Sequence, residues 1–91
     1  MSAAGASAPA LILLTRPECE LCEQMLQQLH ALQARAPLPP IRVLNVDSDP
    51  LWQRRFGLSI PVLLLDSVPV CRVKLDAPEL LRMLRDRSGA P

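Results

Sequence analysis

An apolar run, an amphipathic helical segment and a second strand candidate follow one another in the first half of the chain, and this order constrains the fold most. The run "ALILLT" (residues 10–15) has five apolar residues followed by a β-branched threonine, as in a strand that is buried on both faces of a sheet. Apolar side chains then recur at three- and four-residue spacing, at Leu21, Met25, Leu29 and Leu32. The run "IRVLNV" (residues 41–46) is the second strand candidate. A strand, a helix and a strand in this order predict a parallel pair with a right-handed crossover.

Prolines and a glycine set the limits of the first two helices. The first helix is predicted to begin near Cys19 and to end near Ala36, because three of the next four residues are prolines. A short second helix should begin with Asp49 as its N-cap and Pro50 at the first helical position. Gly57 is expected to end it as a C-terminal glycine.

Two short strands and a last helix fill the second half of the chain. The segments "PVLLLD" and "PVCRVK" are joined by a tight turn at residues 66–68, so they must form an antiparallel hairpin. Asp76 as N-cap, with Glu79 three residues later, resembles a capping box and marks the start of the last helix. The order β-α-β-α-β-β-α predicts a single α/β domain with a four-stranded mixed sheet and helices on both faces.

Composition and charge exclude several classes of partner. The chain has 91 residues, a net charge of +1 and two aromatic side chains, which argues against a nucleic-acid partner. The N-terminal segment has no basic residue, and the run "LILL" is too short for a signal-peptide core or a membrane span. We expect residues 1–9 to form a flexible leader, residues 10–88 to form the domain, and the protein to be a cytoplasmic monomer that binds no membrane.

Cys19 and Cys22 form a Cys-x-x-Cys pair at the predicted start of the first helix. Unpaired N–H groups and the helix dipole stabilise an anion there, so the thiolate of Cys19 should be favoured. The spacing of three residues brings both side chains to one side of the turn, close enough to bridge. The pattern predicts that Cys19 attacks a disulfide and that Cys22 resolves the mixed disulfide.

The charges around this pair oppose one another. Arg16 should favour the thiolate, while the acidic residues Glu18, Glu20 and Glu23 disfavour it. One base and three acids give this segment a net charge of 1 − 3 = −2. We therefore expect a thiol at Cys19 that is less acidic than its helix position alone would make it.

A metal site and an inert turn are the alternatives to a redox pair. A structural zinc site usually needs four ligands, and only Cys71 and His30 remain as candidates. His30 follows Cys22 by eight residues on the same helix, about 12 Å along its axis, so it cannot share a metal with the pair. We therefore predict no metal site within one chain. Cys71 lies in a strand, where a structural thiol is expected and a third redox thiol is the alternative.

The segment "TRPECELC" resembles the part of glutaredoxins that reads Thr-Lys-Pro-x-Cys-x-x-Cys, and "SIPVLLLD" resembles their Thr-Val-Pro element. The resemblance spans roughly residues 10–87. It implies a thioredoxin-like fold of the glutaredoxin type, with Arg16 at the basic position that stabilises the thiolate. It also implies that Ser59, Ile60 and Pro61 bind substrate. A cis peptide bond before Pro61 would leave a backbone edge at Ile60 that can pair with an extended substrate.

The same resemblance implies a thiol–disulfide oxidoreductase without a tightly bound cofactor, acting on disulfide-containing proteins or low-molecular-weight thiols. Glutathione is the co-substrate that the family implies, but "CRVKLD" lacks the glycine pair that helps to seat it. The alternative is a non-catalytic module of the same fold that binds a partner protein, a thiol ligand or a bridged iron–sulfur cluster. Leu21, between the cysteines, is either a core residue or an exposed lip for a partner.

Overall fold

A computed structural model describes residues 10–88 of the chain, and the predicted leader at residues 1–9 lies outside the described residues. The helices and strands are β1 (Leu11–Thr15), α1 (Glu20–Gln33), β2 (Ile41–Asn45), α2 (Pro50–Phe56), β3 (Val62–Leu65), β4 (Val68–Arg72) and α3 (Ala77–Ser88). A 3-10 turn, Val46–Ser48, links β2 to α2. The predicted order of elements is confirmed.

The four strands form one mixed sheet in the order β2-β1-β3-β4. Strand β1 pairs parallel with β2, as the crossover predicted, and antiparallel with β3. The β3–β4 hairpin closes through Asp66 (φ 51°) and Ser67 (φ 69°). Both central residues are therefore left-handed, as a two-residue turn of type I′ requires. The predicted mixed sheet and its hairpin are confirmed.

Helices cover both faces of the sheet, and successive residues of the central strands β1 and β3 point to opposite faces. On one face, Leu11 and Leu13 contact side chains of α1 and α3, including Leu29 and Leu80. On the other face, Leu14 packs with Val46, Phe56, Val62 and Leu64. The apolar runs are continuous because every apolar residue of the central strands belongs to or packs against one of these two clusters.

The helix starts agree with the sequence more closely than the helix ends. Asp49 caps α2 by accepting the N–H of Leu51 at 2.8 Å, as predicted. Helix α1 ends at Gln33 rather than near Ala36, although the N–H of Ala36 still donates to the carbonyl of Leu32 at 2.9 Å.

Among the helices described within residues 10–88, none is long and apolar enough to cross a membrane.

Candidate redox site

The cysteine pair lies where the loop after β1 turns into α1. Cys19 is the N-cap residue of α1, and Cys22 lies in its first turn. Their sulfur atoms are joined in a disulfide, with the two Cα atoms 5.2 Å apart. The side chain of Cys22 is buried, at 3% exposure, whereas Cys19 is partly exposed. This difference favours Cys19 as the sulfur that a partner reaches first.

The sulfur of Cys19 occupies the place of an N-cap oxygen. Its Sγ accepts the backbone N–H of Cys22 at 3.1 Å, and its carbonyl accepts the N–H of Glu23 at 3.1 Å. A Ser or Asp side chain would satisfy the same N–H group. Cys19 Sγ therefore lies beside an N–H donor at the positive end of the helix dipole, a position that suits an anion.

A cavity of about 170 Å³ opens beside the disulfide. Both cysteines line it, together with the preceding loop and one apolar side chain each from α1 and β2, Leu26 and Val43. Glu18 and Glu23 also line it, and both are exposed. The cavity therefore combines the two cysteines of the disulfide, apolar surface and negative charge.

Arg16 lines this cavity but is held by partners outside it. Its Nε and Nη2 donate to the two carboxylate oxygens of Asp47 at 2.9 and 3.0 Å, in a forked ion pair. Its Nη1 donates to the carbonyl of Gly57 at 2.7 Å. The structure places Arg16 beside the cysteine loop, with its charge paired to Asp47. Its action on the thiolate stays a prediction.

Asp47 is itself fixed by its neighbours. Its N–H donates to Oδ1 of Asn45 at 2.8 Å, and its Oδ1 accepts from Nε2 of Gln53 at 3.1 Å. The hydrogen bonds from Arg16 lower the pKa of Asp47 and raise that of Arg16. Sequence analysis missed Asp47. The available signal was its position just after β2, since the carboxyl ends of parallel neighbours lie at the same edge of a sheet.

Gly57 ends α2 as predicted, but for a different physical reason. Its φ of −57° is right-handed, so no left-handed conformation requires a glycine here. A Cβ atom at this position would lie 2.4 Å from the carbonyl oxygen of Gln53 and 3.1 Å from Nη2 of Arg16. The glycine is needed mainly because the backbone carbonyl of Gln53, one turn earlier in α2, leaves no room for a Cβ atom, and the side chain of Arg16 narrows the same space.

The Ile60–Pro61 peptide bond is cis, as the resemblance implied. The pairing of Leu14 with Val62 puts the start of β3 beside the end of β1, which leads into the cysteine loop. On the other side of β3, the carbonyl of Pro61 accepts the N–H of Val73, the residue after β4, at 2.7 Å. The substrate-binding role of Ser59, Ile60 and Pro61 stays a prediction.

The segment after β4 adopts a left-handed turn without a glycine. Val73 has a φ of 70°, and the N–H of Lys74 donates to the carbonyl of Arg72 at 2.7 Å, which closes a γ-turn. Val73 is 41% exposed and lines a second cavity, of about 150 Å³, together with Leu21. Leu21 is 45% exposed, which decides against a core role for it. In the segment "CRVKLD", which has no glycine, the bulky apolar side chain of Val73 therefore occupies the turn.

Cys71 is a free, half-buried thiol in β4 that packs against the cluster shared by α1 and α3. Burial raises the pKa of Cys71, and the charge of Asp76 adds to this, while a hydrogen bond from the Asp76 backbone opposes it. A raised pKa makes Cys71 a poor nucleophile near neutral pH. Within residues 10–88, no group of three or more Cys, His, Asp or Glu side chains could hold a metal ion.

The mixed sheet with helices on both faces, and the cysteine pair at the start of α1, define a thioredoxin-like domain with a dithiol site. Residues 10–85 match the model of the glutaredoxin-like domain (DUF836), and the chain belongs to this family. None of the curated proteins matches the chain.

Two solved structures are similar to this chain over most of their length. The solution NMR structure of protein Ne2328 from Nitrosomonas europaea has a TM-score of 0.74 and 26% identity, covering 82% of this chain and 89% of that one. The X-ray structure of the structural genomics target protein XcR50 from X. campestris has a TM-score of 0.57 and 31% identity, covering 90% and 100% of the two chains.

Proposed function

We propose that this protein is a thiol–disulfide oxidoreductase that uses Cys19 and Cys22 as its dithiol. The observation that carries the proposal is the position of Cys19 at the N-cap of α1. There Sγ accepts the N–H of Cys22 at 3.1 Å and is joined to the buried sulfur of Cys22. An N-cap sulfur is partly exposed and lies at the positive end of a helix, and both properties suit an attacking thiolate.

The proposed reaction transfers two electrons from the dithiol to a target disulfide. The thiolate of Cys19 attacks one target sulfur, which forms a mixed disulfide and releases the other target sulfur as a thiolate. Cys22, as its thiolate, then attacks the sulfur of Cys19. The second target thiol leaves, and the Cys19–Cys22 disulfide forms. The two thiolates released from the target take up the two protons that Cys19 and Cys22 have lost. An external thiol reductant must then reduce the protein for another cycle.

The proposed substrates are disulfides in proteins or in low-molecular-weight thiol compounds. Among residues 10–88, the backbone N–H and C=O of Ile60 have no hydrogen-bond partner, which leaves them free to pair with an extended substrate segment. The exposed apolar side chains of Leu21 on α1 and Val73 after β4 favour a polypeptide over a small, highly charged thiol. A cytoplasmic location suits the cycle, because reducing systems there regenerate dithiols.

Reduction of the oxidised protein by candidate reductants tests the proposal. Glutathione is supplied in one arm and a thioredoxin reductase system with its nicotinamide reductant in the other, and free thiols are counted over time. We expect at least one arm to convert the Cys19–Cys22 disulfide to a dithiol, and a disulfide substrate to reoxidise it. A Cys71→Ala variant serves as the control and should behave like the wild type. Reduction in neither arm would contradict the proposal and favour a non-catalytic binding module of the same fold.

A further inference from the structure

Asp47 does not line the cysteine cavity, yet it holds the side chain of a residue that does. Both of its carboxylate oxygens accept hydrogen bonds from Arg16, at 2.9 and 3.0 Å. Asn45 and Gln53 fix Asp47 in turn, at 2.8 and 3.1 Å. Arg16 is thereby anchored to the 3-10 turn after β2, and its third contact anchors it to Gly57 at the end of α2. A chain of direct contacts leads from Asp47 to the cavity of Cys19.

We propose that Asp47 is a positioning residue of the dithiol site, which fixes Arg16 beside the cysteine loop and neutralises its charge. Cys19 then has a thiolate that is less stabilised than an unpaired arginine would make it. The proposal rests on the proposed redox function, because it concerns the acidity of the attacking thiol. It assigns to Asp47 an effect that acts through Arg16 and involves no contact with the sulfur.

The charges near Cys19 determine the direction of the effect. Arg16, Glu18 and Glu23 line the cavity with it, and Glu20 follows it on α1. The charge of Asp47 offsets that of Arg16, so this arginine gives the helix N-terminus less help against the glutamates. If Asp47 loses its charge, Arg16 becomes an unpaired cation and the thiolate gains stability. If Arg16 loses its charge, Asp47 becomes an unpaired anion and the thiolate loses stability.

These opposite directions separate a tuning role from a merely structural one. If the ion pair only tied the loop to the turn, removing either partner would loosen the same contact and shift the thiol in the same direction. If the pair masks charge, the two single variants must move the pKa of Cys19 in opposite directions. The double variant, which has neither charge, must then lie close to the wild type.

The test measures the pKa of Cys19 in the full-length reduced protein. The rate of alkylation by iodoacetamide is followed from about pH 4 to about pH 10, with Cys19 resolved from the other thiols by peptide mass spectrometry. Asp47→Asn should lower the pKa by about 0.3 to 0.5 unit, roughly two- to threefold more thiolate below the pKa, as expected for one unit charge near the surface. Arg16→Gln should raise it by a similar amount, and the double variant should restore it.

Matched controls keep the outcome decisive. Asp86→Asn removes the same charge from an exposed ion pair, to Arg82 on α3, and should leave the pKa of Cys19 unchanged. Asp47→Ser removes the same charge with a smaller side chain and should lower the pKa of Cys19 as Asp47→Asn does, which keeps the test decisive if Asp47→Asn fails to fold. The proposal would be overturned if Asp47→Asn and Arg16→Gln shifted the pKa of Cys19 in the same direction. A separate redox titration of the wild type decides whether the couple itself is reversible, so failure of the proposed function is recognised independently.

Discussion

Helices α1 and α3 begin with the same hydrogen-bond geometry, made by different atoms. At the start of α3, Oδ1 of Asp76 accepts the N–H of Glu79 at 3.1 Å. At the start of α1, Sγ of Cys19 accepts the N–H of Cys22 at the same distance of 3.1 Å. An aspartate is among the best N-caps, whereas sulfur is a weak acceptor. The first helix therefore has a weaker cap than the last one, and the proposed attacking atom is the one that makes it.

The charges at the two helix starts are also arranged differently. On α3, Arg82 binds Glu79 at 2.7 and 2.9 Å and Asp86 at 2.9 Å, so each partner lies within one turn of the same helix. Before α1, Arg16 is paired with Asp47, which is 31 residues away in the chain. The ion pairs of α3 form within that helix. The ion pair before α1 forms only because the sheet places the end of β1 beside the end of β2.

Of the substitutions at the two helix starts, Cys19→Ser should have the largest effect, and that effect is on the rate of disulfide exchange. It gives α1 a good oxygen cap and removes the attacking sulfur, so we expect disulfide exchange to fall to the uncatalysed background while the fold is kept. The measurement is the rate of reduction of a protein disulfide, with circular dichroism as a check on helix content. Cys71→Ser is the matched control and should retain activity. Exchange by Cys19→Ser at the wild-type rate would show that Cys19 is not the nucleophile.

At the start of α3, Asp76→Ala should destabilise the protein and leave the redox reaction intact. Loss of an N-cap side chain costs about 1 kcal/mol in the free energy of unfolding. Asp76→Asn keeps a capping oxygen and should cost less, since Asn is as good an N-cap as Asp. Urea denaturation of the reduced forms measures both variants. A loss of disulfide exchange in Asp76→Ala, without unfolding, would contradict the division of roles between the two helix starts.

Acid should weaken the Arg16–Asp47 and Arg82–Glu79 ion pairs, and its effect on stability should be smaller than that of Asp76→Ala. Hydrogen bonds from Arg16 and Arg82 lower the pKa of Asp47 and of Glu79, respectively. The folded state therefore binds fewer protons than the unfolded state. The contribution of each pair is fully present above the ordinary carboxyl pKa of about 4 and is lost as the pH falls through the lower folded value.

Because these carboxylates are partly exposed, we expect only a modest fall in the urea midpoint at low pH. Asp47→Asn and Glu79→Gln should each reduce the dependence of this midpoint on pH, compared with the wild type. An acid dependence that neither substitution changes would mean that other carboxylates control it.

The sequence predicted the features that depend on local chemistry. Apolar runs, helix periodicity and the caps at Asp49 and Asp76 gave the order of elements and most of their starts. The short connection at residues 66–68 left a hairpin as the only solution, and the structure has it. The cis bond before Pro61 followed from the glutaredoxin resemblance, and it is present.

The features that the sequence did not predict depend on contacts between distant segments. The pair of Arg16 and Asp47 arises from the parallel pairing of β1 and β2, and no local pattern marks Asp47 as its partner. Val73 adopts a positive φ that β-branched residues strongly disfavour, so no propensity argument would place a γ-turn there.

Trapping of a mixed disulfide tests most directly the central claim that Cys19 attacks and Cys22 resolves. The Cys22→Ser variant, in its reduced form, is mixed with one equivalent of a chromogenic aromatic disulfide, and the adduct is located by peptide mass spectrometry. We predict a stable one-to-one mixed disulfide on Cys19 that dithiothreitol removes, whereas the wild type releases both halves of the reagent. An adduct on Cys71, or no adduct at Cys19, would contradict the account.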